Sequence, residues 1–333
     1  MNNNDSNKNL LINVDTTTAS DIKSQFVSWL WPPSYIPIGT ATLVFGEGGA
    51  GKSFFTLALA AAISKGGLLP GMDIPFPVSD VIIQNAENPW PTIIKPRLEM
   101  LGADCTKIHC INESDKRLTL TDERIEAAIR KHSARLVIID PVQSHFPADF
   151  SMNRAESVRP MLMHLERVAE RTQSAILLVG HVNKSNNKAQ HRALGSVDIV
   201  NAVPSVLFLG RAEGLAPDVR AICHGKSNYS ELSVTQLFRL NKKDGFQWIG
   251  ESNDITPDDV MNFNAKKSKE DKNKIDEAVD FLTDLLSDGE IIPASEAIEL
   301  ADEMGISKRT LDRARKEINV KAKKADGHWQ WSL

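Results

Sequence analysis

Short apolar runs alternate with amphipathic stretches from about residue 22 to 251, and this alternation predicts a layered α/β fold. The runs cover residues 42–45, 81–84, 136–139, 176–179 and 206–209. Each is apolar on both faces, as strands must be when helices cover a mostly parallel sheet on either side. Helical spacing fills the intervals at 52–65, 92–101, 122–132 and 155–172. Further β-type segments near 220–223, 238–240 and 246–249 predict an antiparallel extension of the sheet.

Outside this region the pattern changes. Residues 1–20 are rich in Asn, Thr and Asp with no apolar period, which predicts a mobile tail. Residues 261–274 are almost wholly polar and read as a linker or a solvated helix start. Beyond them, 275–286, 294–304 and 308–318 have helical spacing, punctuated by Pro293 and Gly305, with Ser307 placed to cap the third. Residues 320–333 alternate weakly and contain Trp329 and Trp331, as a small hairpin would. The expected division is a tail at 1–20, an α/β domain at 21–260, a linker at 261–274 and a winged helix-turn-helix at 275–333.

Composition narrows the class. With 41% hydrophobic and 25% charged residues, the chain is not wholly disordered. No apolar run reaches the roughly 18 residues of a membrane span, and the polar start lacks the pattern of a signal peptide. Cys105, Cys110 and Cys223 are too few for a disulfide framework, so a reducing cytoplasm is the expected location. Cys105, His109 and Cys110 lie close together, but no fourth ligand sits nearby in sequence, and zinc rests on spacing alone. The net charge of −4 shows no global basicity, yet residues 305–333 carry eight Lys or Arg against three Asp or Glu. That local excess points to an anionic partner for the C-terminal end.

The sharpest motif is GEGGAGKS, a G-x-x-x-x-G-K-[ST] loop between a buried strand and a helix. Gly46, Glu47, Gly48, Gly49, Ala50 and Gly51 supply the loop, and Lys52, Ser53 and Phe54 open the helix. Glycines let backbone N–H groups converge on phosphate oxygens, and the helix N-terminus adds partial positive charge. Lys52 is expected to reach the β- and γ-phosphates of ATP, and the Ser53 hydroxyl to ligate Mg²⁺. Asp140 ends the apolar run RLVIID, where its carboxylate is expected to serve the same ion. Pro141 follows it rather than a second acid, so the hydrolytic base must come from elsewhere. Glu87, after the second strand, is the candidate base, against the plainer reading of a loop acid. His181 ends AILLVGH and either contacts the γ-phosphate or attacking water, or packs as an ordinary histidine.

These residues together resemble RecA-type AAA ATPases of the RepA-like helicase group, encoded by plasmids, phages and integrated elements. The likeness runs from about Trp29 to Leu240 and includes the phosphate loop, NAENP, IIDPVQSHF and the HVNKSNN…HRALGSVDIVNAVPSVLFLGR segment. The C-terminal segment resembles the winged-helix tail of many such proteins. The resemblance implies a RecA-type P-loop core, ATP hydrolysis, and a homo-oligomeric ring, a hexamer, acting on DNA without any membrane. Two departures stand out. Members often carry Arg where this chain has Pro204, and the subunit-boundary Lys–x–Arg pair is here Lys226 with Asn228. Arg211 and Lys226 are therefore the trans-acting candidates, against the reading of plain surface cations.

Two DNA contacts follow. In RecA-type rings the loop after His181 lines the central channel, which makes Lys184, Lys188 and Arg192 candidates for single-stranded DNA, unless the loop is merely solvated. Its neighbour carries Phe146 and Phe150, which either stack on bases or pack. In the tail, Lys308, Arg309, Arg313, Arg315 and Lys316 share one short helix whose apolar residues fall on another face. A duplex-reading helix with phosphate-gripping flanks fits, as does a solvated basic helix. The implied function is an ATP-driven helicase or remodeller of a mobile element. An ATP-controlled regulator without strand separation, and a helicase loader or recombination mediator, are the alternatives.

Overall fold

The computed structural model describes residues 15–147, 155–181, 197–241, 245–286, 290–325 and 328–333. A short hairpin of β1 (Trp29–Trp31) and β2 (Ile36–Pro37) precedes the main sheet. The sheet contains β3 (Ala41–Gly46), β4 (Val81–Asn85), β5 (Ile108–His109), β6 (Leu136–Asp140), β7 (Ala175–His181) and β8 (Ser205–Gly210), all parallel. Strands β9 (Val219–Ser227), β10 (Thr235–Asn241) and β11 (Gly245–Ser252) extend it antiparallel, as the sequence predicts. The spatial order is 11-10-9-8-3-7-6-4-5.

Both faces of the sheet are covered, which explains the unbroken apolar runs. Leu43 and Phe45 of β3 point into one core with Ile139, Leu178 and Phe208, whereas Val44 points into the other with Ile138, Leu177 and Leu207. Helices α1 (Lys52–Lys65) and α2 (Lys95–Met100) cover the Val44 face, through Phe55, Leu59, Ile63 and Leu98. Helices α3 (Arg124–His132) and α4 (Ala155–Thr172) cover the other, through Ile125, Ile129, Leu162 and Leu165. Each fully buried Leu, Ile or Phe adds roughly 1.5–3 kcal/mol of hydrophobic stabilisation, so the two layers hold the strand ends firmly.

Two expected segments differ. The helix expected at 92–101 is a π-helical turn, Trp90–Ile94, followed by α2. Pro91 and Pro96 lack N–H donors and are tolerated only in first turns, so the segment starts twice. Residues 261–274, read as a linker or a solvated helix start, lie within one continuous helix. After α5 (Val197–Ala202) and the antiparallel strands, α6 runs unbroken over Pro257–Leu285. Thr256 and Asp259 form a reciprocal capping box, and Pro257 occupies the first turn. These strong start signals lie upstream of the polar stretch, and its lysines have good helix propensity.

The second half of α6 meets α7 (Ala294–Glu303), α8 (Lys308–Glu317) and an antiparallel sheet of β12 (Ile292–Pro293), β13 (Lys321–Ala325) and β14 (His328–Ser332) in the order 12-14-13. Ile275, Ala278, Leu282, Ala297, Leu311, Ala314 and Trp331 form a separate small core there. Ser307 caps α8, its hydroxyl accepting from the Thr310 N–H at 3.3 Å. No described helix is long and apolar enough to cross a membrane.

Candidate nucleotide site

Strand order assembles the site. Because β7 lies between β3 and β6, the C-terminal ends of β3, β7, β6 and β4 form one edge. Register places Gly46 beside His181 and Asn85 beside Asp140. Clefts at the carboxyl ends of parallel strands are where open α/β sheets bind ligands.

The phosphate loop leaves this edge at Gly46, where a Cβ would lie 2.2 Å from the Leu209 carbonyl oxygen on β8. Only glycine permits that approach. Gly51 stands at φ 103° immediately before α1, a left-handed conformation that turns the chain abruptly into the helix. Lys52, the first helical residue, is 5% exposed and bends back over the loop. Its Nζ donates to the carbonyls of Gly46 (2.8 Å) and Glu47 (2.9 Å) and lies 3.3 Å from His181 Nδ1. An ammonium only donates, so Nδ1 accepts and the ring proton sits on Nε2. That nitrogen faces Glu87 Oε1 at 3.4 Å. Lys52, His181 and Glu87 thus form one line of contacts from the loop to the second strand.

Asp140 is 3% exposed at the end of β6. Burial raises its pKa, partly opposed by the Ser53 hydroxyl hydrogen bond, while the neighbouring Glu87 pushes it up further. Asn85 Nδ2 approaches Asp140 Oδ2 at 3.4 Å, and Asn85 Oδ1 accepts the N–H groups of Glu87 (3.1 Å) and Asn88 (2.7 Å). Asn85 was not singled out from sequence, although an Asn two residues before a loop residue is the signal of an Asx turn. It fixes where Glu87 stands. Glu87 and His181 keep side-chain exposures of 50% and 40%, so a water can reach both.

The residues fit a Mg²⁺-nucleotide. A Cβ at Gly48 or Gly49 would meet no atom within 4 Å, so the loop is open on that side. Buried Asp140 and half-buried Ser53 offer a hard-oxygen pair, the donor type a magnesium ion prefers.

Burial of Lys52 lowers its pKa from 10.5 to about 8, with Asp140, Glu87 and Glu47 opposing the shift. The charged lysine is the form that attracts phosphate, so proton loss weakens nucleotide binding. The Kd for ATP is expected to stay flat near pH 7 and then rise towards about tenfold per pH unit above pH 8. Fluorescence titration with a labelled ATP analogue checks this; an unchanged Kd up to about pH 9.5 contradicts it.

Other expected residues fall differently. Phe54 opens α1 with the Arg97 guanidinium 4.4 Å above its ring. Arg211 lines a cleft of about 230 Å³ together with Glu47, Gly48, Gly49, Ala50, Gly210, Val260 and Phe263 of the same chain. It thus flanks its own phosphate loop, because β8 pairs directly with β3. Lys226 is bonded within the chain. Its Nζ donates to the carbonyls of Val200 (3.1 Å), Asn201 (3.1 Å) and Val203 (2.7 Å), capping the C-terminal end of α5. Its three donors are thus engaged within the chain. Phe146 is buried in the core and cannot stack on a base. Lys184, Lys188, Arg192 and Phe150 lie outside the described residues.

On α8, Lys308, Arg309, Arg313 and Lys316 are exposed, while Arg315 is half-buried with its guanidinium 4.9 Å from the Trp331 ring centroid. Arg315 therefore braces the sheet beneath it. Strand β13 presents exposed Lys321, Lys323 and Lys324, and β14 presents exposed Trp329. These β13 lysines were missed because a weakly alternating basic strand has no motif of its own.

A phosphate loop on the central strand, with a strand intervening before the one that ends in Asp140, defines a P-loop ATPase core. A family model described as an AAA domain, AAA_25, matches residues 11–187, more than half of the chain. The chain belongs to that family of P-loop AAA-type ATPases. No curated protein matches it.

Proposed function

We propose that this ATPase hydrolyses ATP to move or remodel DNA, as a helicase or replication ATPase of a mobile element related to the RepA-like group. The observation that carries the hydrolytic half is the contact line Lys52–His181–Glu87 beside buried Asp140. When bound, Mg²⁺-ATP supplies the electrophilic phosphoryl group and neutralises its charge. Ser53 and Asp140 would hold the metal. Lys52 exchanges a loop carbonyl for a β/γ-phosphate oxygen and offsets developing charge. Glu87 takes the proton of the attacking water, and the Nε2–H of His181 orients its carboxylate. His181 is the last residue of β7 and touches both Lys52 and Glu87, so it can pass a change at either to the chain that follows.

The DNA half rests on the C-terminal unit, which we read as a winged helix with α8 as recognition helix and β13–β14 as wing. Its exposed cations are suited to gripping phosphates, with no base code implied. Ring assembly remains an implication of the resemblance, with Arg211 and Lys226 as the candidate trans residues. The test uses the full-length protein. ATP turnover is expected to rise with DNA, and forked DNA to separate with ATP but not with a non-hydrolysable analogue. Arg309→Ala with Arg313→Ala is expected to weaken duplex binding and flatten its salt dependence by about two units. Absence of duplex binding even at low salt rejects the DNA reading.

A second reading, an ATP-controlled DNA-binding regulator, is favoured by α6. Val260 and Phe263 near its start wall the cleft beside the phosphate loop, and Gly210 abuts Val260 so closely that a Cβ would lie 2.8 Å from it. Ile275, Ala278 and Leu282 farther along the same helix form the core of the C-terminal unit. One rod of about 43 Å joins nucleotide to basic surface. Nucleotide-dependent duplex affinity without strand separation would select this reading.

A further inference from the structure

Far from the nucleotide, three metal-ligating side chains meet at the opposite end of the sheet. Asp80 immediately precedes β4, His109 ends β5 and His132 is the last residue of α3. One ligand atom from each lies within 4.8 Å of the others. Asp80 Oδ1 is 2.7 Å from His109 Nε2, and the rings of His109 and His132 stack at 3.7 Å with an 18° interplanar angle. We propose that Asp80, His109 and His132 form a binding site for a borderline divalent transition metal, with Zn²⁺ as the expected occupant.

The donor set selects the ion. Two imidazoles and one carboxylate suit Zn²⁺ and its neighbours, whereas Mg²⁺ and Ca²⁺ prefer oxygen alone. Three protein ligands leave a fourth, tetrahedral position for water, and all three side chains are partly exposed, so an ion can enter. The carboxylate is already split between partners. Lys107 Nζ holds Oδ2 at 3.0 Å, which turns Oδ1 alone towards the histidines. The backbone is fixed as well: the Asp80 carbonyl accepts the Arg135 N–H at 3.0 Å, and β5 pairs with β4 through Ile108 and His109. Ligands from a strand lead-in, an edge strand and a helix end are thus presented by anchored segments. Lone pairs lie in the ring planes, so an ion is bound once one imidazole turns out of the stack and both nitrogens converge on it.

The position indicates the role. Asp80 lies at the start of β4 and Asn85 at its end, so the cluster stands about 17 Å from the nucleotide site by strand rise. A metal here staples the two-residue edge strand β5 to α3 and to the head of β4, and it is separate from the Mg²⁺ that Asp140 serves.

The test titrates the full-length protein with Zn²⁺ alone and with Co²⁺ alone. One ion per chain is expected, with visible Co²⁺ bands and no thiolate charge-transfer band, because the ligands are nitrogen and oxygen. Saturating Zn²⁺ should raise Tm by on the order of 5 °C. His132→Ala and Asp80→Asn should each weaken binding at least about tenfold while Mg²⁺-dependent ATP turnover is retained. Cys105→Ser with Cys110→Ser should leave the affinity unchanged. No saturable Zn²⁺ binding by the wild-type protein overturns the proposal, whether or not the variants fold. Wild-type affinity in His132→Ala, or loss of binding in the double cysteine variant, overturns it as well.

Discussion

Lys52→Ala is expected to abolish ATP turnover, lowering it by at least about 10³-fold. The ammonium is the buried cation that bends over the phosphate loop, held by the Gly46 and Glu47 carbonyls and by His181. Truncation removes the charge partner of the β- and γ-phosphates in a place where little water can substitute. It also leaves two loop carbonyls without their donor, so some loss of stability accompanies the loss of function. Thermal unfolding recorded beside the turnover assay separates the two effects. Lys52→Arg adds a control, because its charge remains while the larger planar group no longer fits the space under the loop. Turnover near wild type in folded Lys52→Ala protein would remove the phosphate-loop assignment.

The second large effect is expected for Glu87→Gln. Shape and the backbone bonds to Asn85 are preserved, but the amide cannot accept the proton of the attacking water. Hydrolysis should fall by about 10²-fold or more while nucleotide binding stays close to wild type. Loss of binding alongside hydrolysis would indicate that Glu87 shapes the site rather than acting as base. Single-turnover hydrolysis with a parallel binding titration distinguishes these outcomes. Normal hydrolysis by Glu87→Gln makes it a loop acid and requires another group to activate water.

Much of the core was readable because its signals are local. The five parallel runs appear as strands, each extended by one to three residues, and helices 52–65 and 155–172 have the expected bounds. Burial on both faces produces uninterrupted apolar runs, and a glycine-rich loop before a helix has one geometry. Signals that depend on absence were weaker. The polar stretch at 261–274 lacks an apolar stripe, so it resembles a linker, although the capping box at Thr256 starts a helix that continues through it. A helix solvated on most sides needs propensity and a cap, not a buried face.

What the sequence alone determined was the chemistry of single positions: Lys52 and Ser53 on a phosphate loop, Asp140 at a strand end, a basic tail helix behind Ser307. Spacing within a dozen residues sets dihedral angles and periodicity, and those suffice for such features. What only the tertiary structure decided was company. The order 9-8-3-7-6-4-5 brings His181 between Lys52 and Glu87, places Arg211 beside its own phosphate loop, and turns Lys226 onto the carbonyls of α5. The same order gathers Asp80, His109 and His132 from separate elements. Contacts between residues tens of positions apart depend on which strands become neighbours, and that is settled by burying two apolar faces at once rather than by any local pattern.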